Sequence, residues 1–359
     1  MRNNIFAALC ALTSMVTPIY AQGQDFAKEY YLQSGLEYIG ASHAWQYIES
    51  NGLQPGGRDR VIAILDDGLD RTHPELGKRV LTSNPVTGNH GNYVGAIAAA
   101  EWNGTGMVGV APFANLVAAN PGTKDEYKTL DGYKIDAFTI AMAAETEEEK
   151  AEFETILKYL FKKHSDAVFV VSGGQAGDAP KHGYPAAWAK EPWVGGRMIV
   201  VGALNLNAQN IFVLGSFKCN QEGQNLVDFC LFAPGYDKVY GALGKKYKIE
   251  NDAALANGTE SEYDATDIVT VGTPPNEFYL VEGGGTSAAA PFVSGAVAVI
   301  RAVHPDLPAK DVVQVLLKTS KMYSGAGDNP SVQPSNTFGW GILDLNAAVR
   351  RAIELKTAK

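Results

Sequence analysis

Three residues of this chain have the types and neighbours that acyl transfer needs. Ser287 follows Gly283-Gly284-Gly285-Thr286 and opens a small, apolar run, Ala288-Ala289-Ala290-Pro291-Phe292-Val293. Two chemistries suit such a serine. As a helix N-cap, its Oγ would accept a free N–H of the first turn, and Pro291 would be harmless because an early helical position needs no N–H. As a nucleophile, it would stand where the free N–H groups of a helix start can hold an oxyanion, with glycines leaving room for a substrate chain. The second chemistry requires a base and a carboxylate to orient it. His90, in Asn89-His90-Gly91-Asn92-Tyr93-Val94-Gly95, is the candidate base, since imidazole titrates near neutrality. Asp66, in Leu65-Asp66-Asp67-Gly68-Leu69-Asp70, is the candidate carboxylate, with Asp67 as its neighbour. Alone, each motif also reads as an ordinary cap, structural histidine or acidic turn.

The elements that must position these residues are legible in part. Val61–Leu65 is wholly apolar, as suits a strand buried on both faces of a parallel sheet, and it delivers Asp66 at its carboxyl end. Asn115–Ala119 and residues 167–171 and 198–202 read the same way. Between strands, Thr146 and Glu149 form a capping-box signature. Phe153, Ile156, Leu157, Leu160 and Phe161 then recur at helical spacing, and Lys158, Lys162 and Lys163 complement the end of the dipole. A further helical patch lies at 44–48. The alternation predicts a doubly wound, mostly parallel α/β sheet with helices on both faces, and sites at the carboxyl ends of its strands. No Pro/Gly/Ser-rich linker divides the chain, which reads as one domain.

Bulk properties narrow the function classes. The chain has 359 residues, 46% hydrophobic and 19% charged, with a net charge of −9. That balance opposes nonspecific binding to nucleic acid or to an anionic membrane surface. Arg2, an apolar run and Ile19-Tyr20-Ala21 predict a signal peptide over 1–21, and hence a secreted or periplasmic protein. No later stretch reads as long and apolar enough to cross a bilayer. Cys219 and Cys230 then remain, with ten residues between them, and an oxidising compartment predicts a disulfide.

Together, in the order Asp, His, Ser, the motifs resemble those of the subtilisin-like serine peptidases, peptidase family S8. The matching words are Asp66-Asp67-Gly68 with His73-Pro74, His90-Gly91 with Gly109-Val110-Ala111-Pro112, and Gly285-Thr286-Ser287-Ala288-Ala289-Ala290-Pro291. Tyr184-Pro185-Ala186, Phe232-Ala233-Pro234-Gly235 and Phe338-Gly339-Trp340-Gly341 also fall where family members carry similar words. The resemblance runs from about Tyr38 to Ala352. It implies a peptidase domain over 38–355, behind a short extension at 22–37. It further implies a secreted endopeptidase acting on proteins or peptides through an acyl-enzyme, with Asp66 orienting, His90 as base and Ser287 as nucleophile. The expected protein is a monomer that needs no cofactor for its chemistry. Structural calcium, common among relatives, has no assignable ligands here. Family members commonly carry a folding pro-domain. Here 37–45 already reads as the enzyme's own start, so folding without a separate pro-domain is expected.

Three departures from the family pattern stand out. The usual HGTHVAG is HGNYVGA. The usual oxyanion-hole asparagine is Gln175, in Ser172-Gly173-Gly174-Gln175, which keeps the amide on a longer arm. The substrate-lining Ser-x-Gly stretch is not recognisable in 135–142, so cleavage preference is unreadable. These departures motivate a rival reading, a weakly active or inactive peptide-binding or regulatory protein on the same fold. An α/β-hydrolase esterase is opposed by the absence of a G-x-S-x-G elbow and by the order of the three residues.

Overall fold

The computed structural model describes residues 25–174, 183–206, 218–221, 224–261, 263–322 and 334–358. The predicted signal segment 1–21 and Gln175 lie outside them.

The helices α1 (Asp25–Leu32), α2 (Ser34–Tyr38) and α3 (Ala41–Ser50) lead into β1 (Val61–Leu65). Then come α4 (His90–Ala99), β2 (Asn115–Ala119), β3 (Ala137–Ile140), α5 (Glu147–Lys163), β4 (Val168–Ser172) and β5 (Met198–Asn205). A short ribbon of β6 (Asn220–Gln221) and β7 (Gln224–Asn225) precedes β8 (Cys230–Tyr236). The chain continues through β9 (Tyr240–Leu243), α6 (Lys245–Ala256), β10 (Ile268–Val271) and β11 (Phe278–Glu282). It closes with α7 (Thr286–Val303), α8 (Ala309–Lys318) and α9 (Leu345–Thr357).

Six strands form one parallel sheet in the order β2-β1-β3-β4-β5-β8. Their side chains alternate between two buried layers, as the pleat dictates. Ile62, Ile64, Leu116 and Val170 face α4 and α7, whereas Ala63, Leu65, Phe138 and Phe169 face α5. Helices therefore cover both faces, as the doubly wound expectation required. The capping box at Thr146 is present, and Phe161 of α5 stacks on Phe169 of β4 at 3.6 Å between centroids. The strands at 61–65 and 115–119 lie where their apolar runs place them. That at 167–171 moves one residue on, and that at 198–202 extends to Asn205. A separate three-stranded antiparallel sheet, β10-β11-β9, packs beside α4.

Helix α7 runs beneath the parallel sheet, touching β1, β3, β4, β5 and β8 as well as α4 and α9. Its small residues permit close approach: a Cβ on Gly295 would fall 2.6 Å from that of Val110. By length and composition α7 could span a bilayer, which corrects the sequence expectation that no such stretch exists. It is 89% buried inside the protein, because its apolar surface faces the sheet. At the N-terminal side, Tyr30, Leu36, Ile39, Trp45 and Ile48 are buried in the same core.

Cys219 and Cys230 form the expected disulfide, with both residues fully buried. Closing so short a loop constrains the unfolded chain, and the bridge should contribute about 2–3 kcal/mol. Reversible urea unfolding of a Cys219→Ala, Cys230→Ala chain is expected to show a loss of that size.

Candidate active site

The site begins where β1 ends. Asp66 extends the ladder by donating its N–H to the Ala119 carbonyl at 3.1 Å. The residue is 1% exposed. Its carboxylate accepts the Asp67 N–H at 2.9 Å and lies 2.8 and 3.0 Å from Nδ1 of His90. A carboxylate at Nδ1 holds the ring proton there and leaves Nε2 as the basic nitrogen. His90 is the first residue of α4, and its side chain keeps 39% of its exposure. The Nδ1 edge of the ring is thus fixed from below.

Asp67 meets the same helix differently. Its carboxylate accepts the His90 N–H at 2.9 Å and the Gly91 N–H at 2.7 Å. Burial, and then the charge of Asp66, push its carboxyl up to about 6, although those two N–H bonds pull the other way.

Ser287 is the second residue of α7, after the N-cap Gly285. No side chain caps this helix, and the Ser287 Oγ instead donates to the Ala141 carbonyl at 3.1 Å. The N-cap reading of Ser287 is thereby corrected. Gly285 takes that place with φ 97°, a left-handed conformation that a side chain would oppose. Pro291 is also a turn deeper than an early position. It deletes the N–H that would otherwise bond the Ser287 carbonyl. As the second residue, Ser287 has an N–H that the helix itself leaves without an acceptor.

The altered histidine motif is repacked rather than left loose. Tyr93 donates from its Oη to the Val239 carbonyl at 3.1 Å. Its ring fills space left by glycines: a Cβ on Gly241 would fall 2.3 Å from it, and one on Gly283 2.8 Å. Asn92 accepts the Asp70 N–H at 2.6 Å and donates to Asn89 Oδ1 at 3.3 Å. Asn89 Oδ1 also accepts the Gly244 N–H at 2.8 Å. Gly283→Ala is expected to cost about 1–3 kcal/mol by overpacking against Tyr93. In a Tyr93→Ala background that cost should vanish, a coupling that urea unfolding of the four chains would measure.

His73 is structural. Its Nε2 lies 3.0 Å from the Tyr279 carbonyl, its Nδ1 accepts the Glu75 N–H, and burial lowers its pKa. Among the described residues, no group of three or more His, Cys, Asp or Glu side chains is arranged to hold a metal ion.

Asp66 follows β1, Ala141 follows β3, and Ser172-Gly173-Gly174 close β4. From β1 the sheet runs to β2 on one side and to β3 on the other, so the site lies at the switch point of the sheet. Two participants escape sequence reasoning, the Asp67 carboxylate and the Ala141 carbonyl. The doubled aspartate is the only signal for the first, and a main-chain carbonyl leaves none.

A parallel α/β sheet that presents a carboxylate–imidazole pair and a helix-borne serine at its carboxyl end has the architecture of a serine hydrolase. Residues 57–341 match the subtilase family model, and the chain belongs to that family. It is 26% identical to fervidolysin of Fervidobacterium pennivorans, covering 91% of this chain and 44% of that protein. It is 25% identical to subtilisin E of Bacillus subtilis, covering 82% and 66%. It is 23% identical to the dibasic-processing endoprotease of Schizosaccharomyces pombe, covering 82% and 41%. The chain spans less than half the length of fervidolysin and of the yeast endoprotease. A crystal structure of fervidolysin matches with a TM-score of 0.62 at 21% identity, over 89% of this chain and 45% of that one, which supports the fold.

Proposed function

We propose that this chain is a serine endopeptidase that hydrolyses protein or peptide substrates through an acyl-enzyme. The observation that carries the reading is the Asp66 carboxylate at Nδ1 of His90, the first residue of α4, with Ser287 at the start of α7, which packs against α4. The Ser287 hydroxyl has one proton, now given to Ala141, which must swing to His90 Nε2 as Oγ attacks the substrate carbonyl. Asp66 stabilises the imidazolium that forms. The Ser287 N–H holds the oxyanion, with Gln175 as the proposed side-chain donor. His90 then protonates the leaving amine, and a water activated by the same imidazole releases the acyl group.

The proposed peptidase unit spans 38–355 and acts as a monomer, without nucleic acid or a catalytic cofactor. A secreted or periplasmic location suits the Cys219–Cys230 bridge, which an oxidising compartment would preserve. A fluorophosphonate should label Ser287 of the purified protein, and a peptide library should be cut by the parent chain but not by Ser287→Ala. Folded parent protein that neither labels nor cuts would overturn this reading in favour of a peptide-binding role.

A further inference from the structure

Two consecutive carboxylates of one turn meet a single histidine, and they hold different parts of it. Asp66 takes the ring at Nδ1. Asp67 takes the main chain, with one oxygen on the His90 N–H at 2.9 Å and the other on the Gly91 N–H at 2.7 Å. The Asp67 carbonyl in turn accepts the Thr87 N–H at 2.8 Å and the Thr87 hydroxyl at 3.1 Å, tying down the segment that enters α4. The carboxylate is closely enclosed: a Cβ on Gly88 would fall 1.9 Å from Oδ2, and one on Gly91 2.8 Å from Oδ1. The first N–H groups of a helix lack intrahelical acceptors and carry its positive end, so an anion there forms charge-assisted bonds.

We propose that Asp67 is a positioning residue of the reaction, its carboxylate fixing the His90 main chain so that the imidazole oriented by Asp66 stays in line with Ser287. This rests on the reading of His90 as the base. The two groups whose charges act on Asp67 are Asp66 beside it and His90 on α4. With the carboxyl pushed up to about 6, the clamp loses its charge in mildly acidic solution, and the protonated oxygen becomes a weaker acceptor for its N–H. The acid limb of kcat/KM then carries the proton of Asp67 as well as that of His90, and is steeper than one proton allows.

The test uses the full chain with Asp67→Ala and Asp67→Asn. Displacing a catalytic group slightly can cost about 10²-fold, so Asp67→Ala is expected to lower kcat on a short peptide amide by about 10–100-fold. KM should stay within about two-fold, since the lost interaction acts on the chemical step. Asp67→Asn keeps one acceptor oxygen and should recover part of the rate. Both variants should show a single-proton acid limb. Hydrogen exchange of the His90 and Gly91 amides should quicken at least about ten-fold in Asp67→Ala. A folded Asp67→Ala with kcat within about two-fold of the parent, or with an acid limb as steep as the parent's, would overturn the proposal. If Asp67→Ala does not fold, Asp67→Asn carries the same readouts. If the parent itself neither turns over nor labels, the peptidase reading has failed, and amide exchange alone decides the clamp: unchanged exchange refutes it.

Discussion

Ser287→Ala is expected to lower kcat by about 10⁶-fold, with KM little changed, because no other described group supplies the attacking oxygen. The fold should survive. Ala288, Ala289 and Ala290 follow in the same helix, so alanine suits the position, and only the bond to the Ala141 carbonyl is lost. A residual rate of roughly 10³–10⁴ over the uncatalysed reaction should remain from oxyanion stabilisation and binding. Steady-state kinetics on a fluorogenic peptide would check this, with parent and variant purified on separate resins. A folded variant that keeps even a hundredth of the parent's kcat would assign the chemistry to another group.

The second large effect is expected from Asp66→Asn, about 10⁴-fold in kcat. The direction follows from the hydrogen bonds. One carboxylate oxygen already accepts the Asp67 N–H at 2.9 Å, so an asparagine would keep its carbonyl there. Its NH2 would then face His90 Nδ1 as a donor. The imidazole would have to present a lone pair at Nδ1 and carry its proton on Nε2, where it can no longer take one from Ser287. Labelling of Ser287 by fluorophosphonate should slow in parallel, while peptide affinity is retained. The Asp66→Asn, Ser287→Ala double variant should be no slower than Ser287→Ala alone, because the three groups act as a unit. A single variant within tenfold of the parent would show that Asp66 does not set the tautomer.

Much of this architecture is legible in the amino-acid sequence. A wholly apolar run marks β1, and a run that is apolar after Asn115 marks β2, since strands buried on both faces disfavour polar side chains. Thr146 and Glu149 mark the start of α5, because a capping box needs those types at that spacing. Two strands of the parallel sheet leave no such mark. The four residues of β3 are too few to show a period, and β8 carries Pro234 and Gly235, which an edge strand tolerates and a central one does not. The choice between cap and nucleophile at Ser287 depends on the backbone angle of Gly285, which composition does not specify. The exchange of bulk between Tyr93 and the glycines at 241 and 283 joins residues far apart in the chain, so no local pattern announces it.

Because Ser287 sits on α7, and α7 is packed under five strands of the sheet, the nucleophile cannot be lost by fraying at an edge. On the peptidase reading, a molecule unfolded far enough to be digested at its core has already lost its ability to digest. Attack of one copy on another therefore needs one folded and one unfolded partner, and its rate follows the product of the two populations. That product is greatest at the midpoint of unfolding and falls away on both sides. Stored cold, the protein should be lost slowly for want of victims. Well above its midpoint it should be lost slowly for want of attackers.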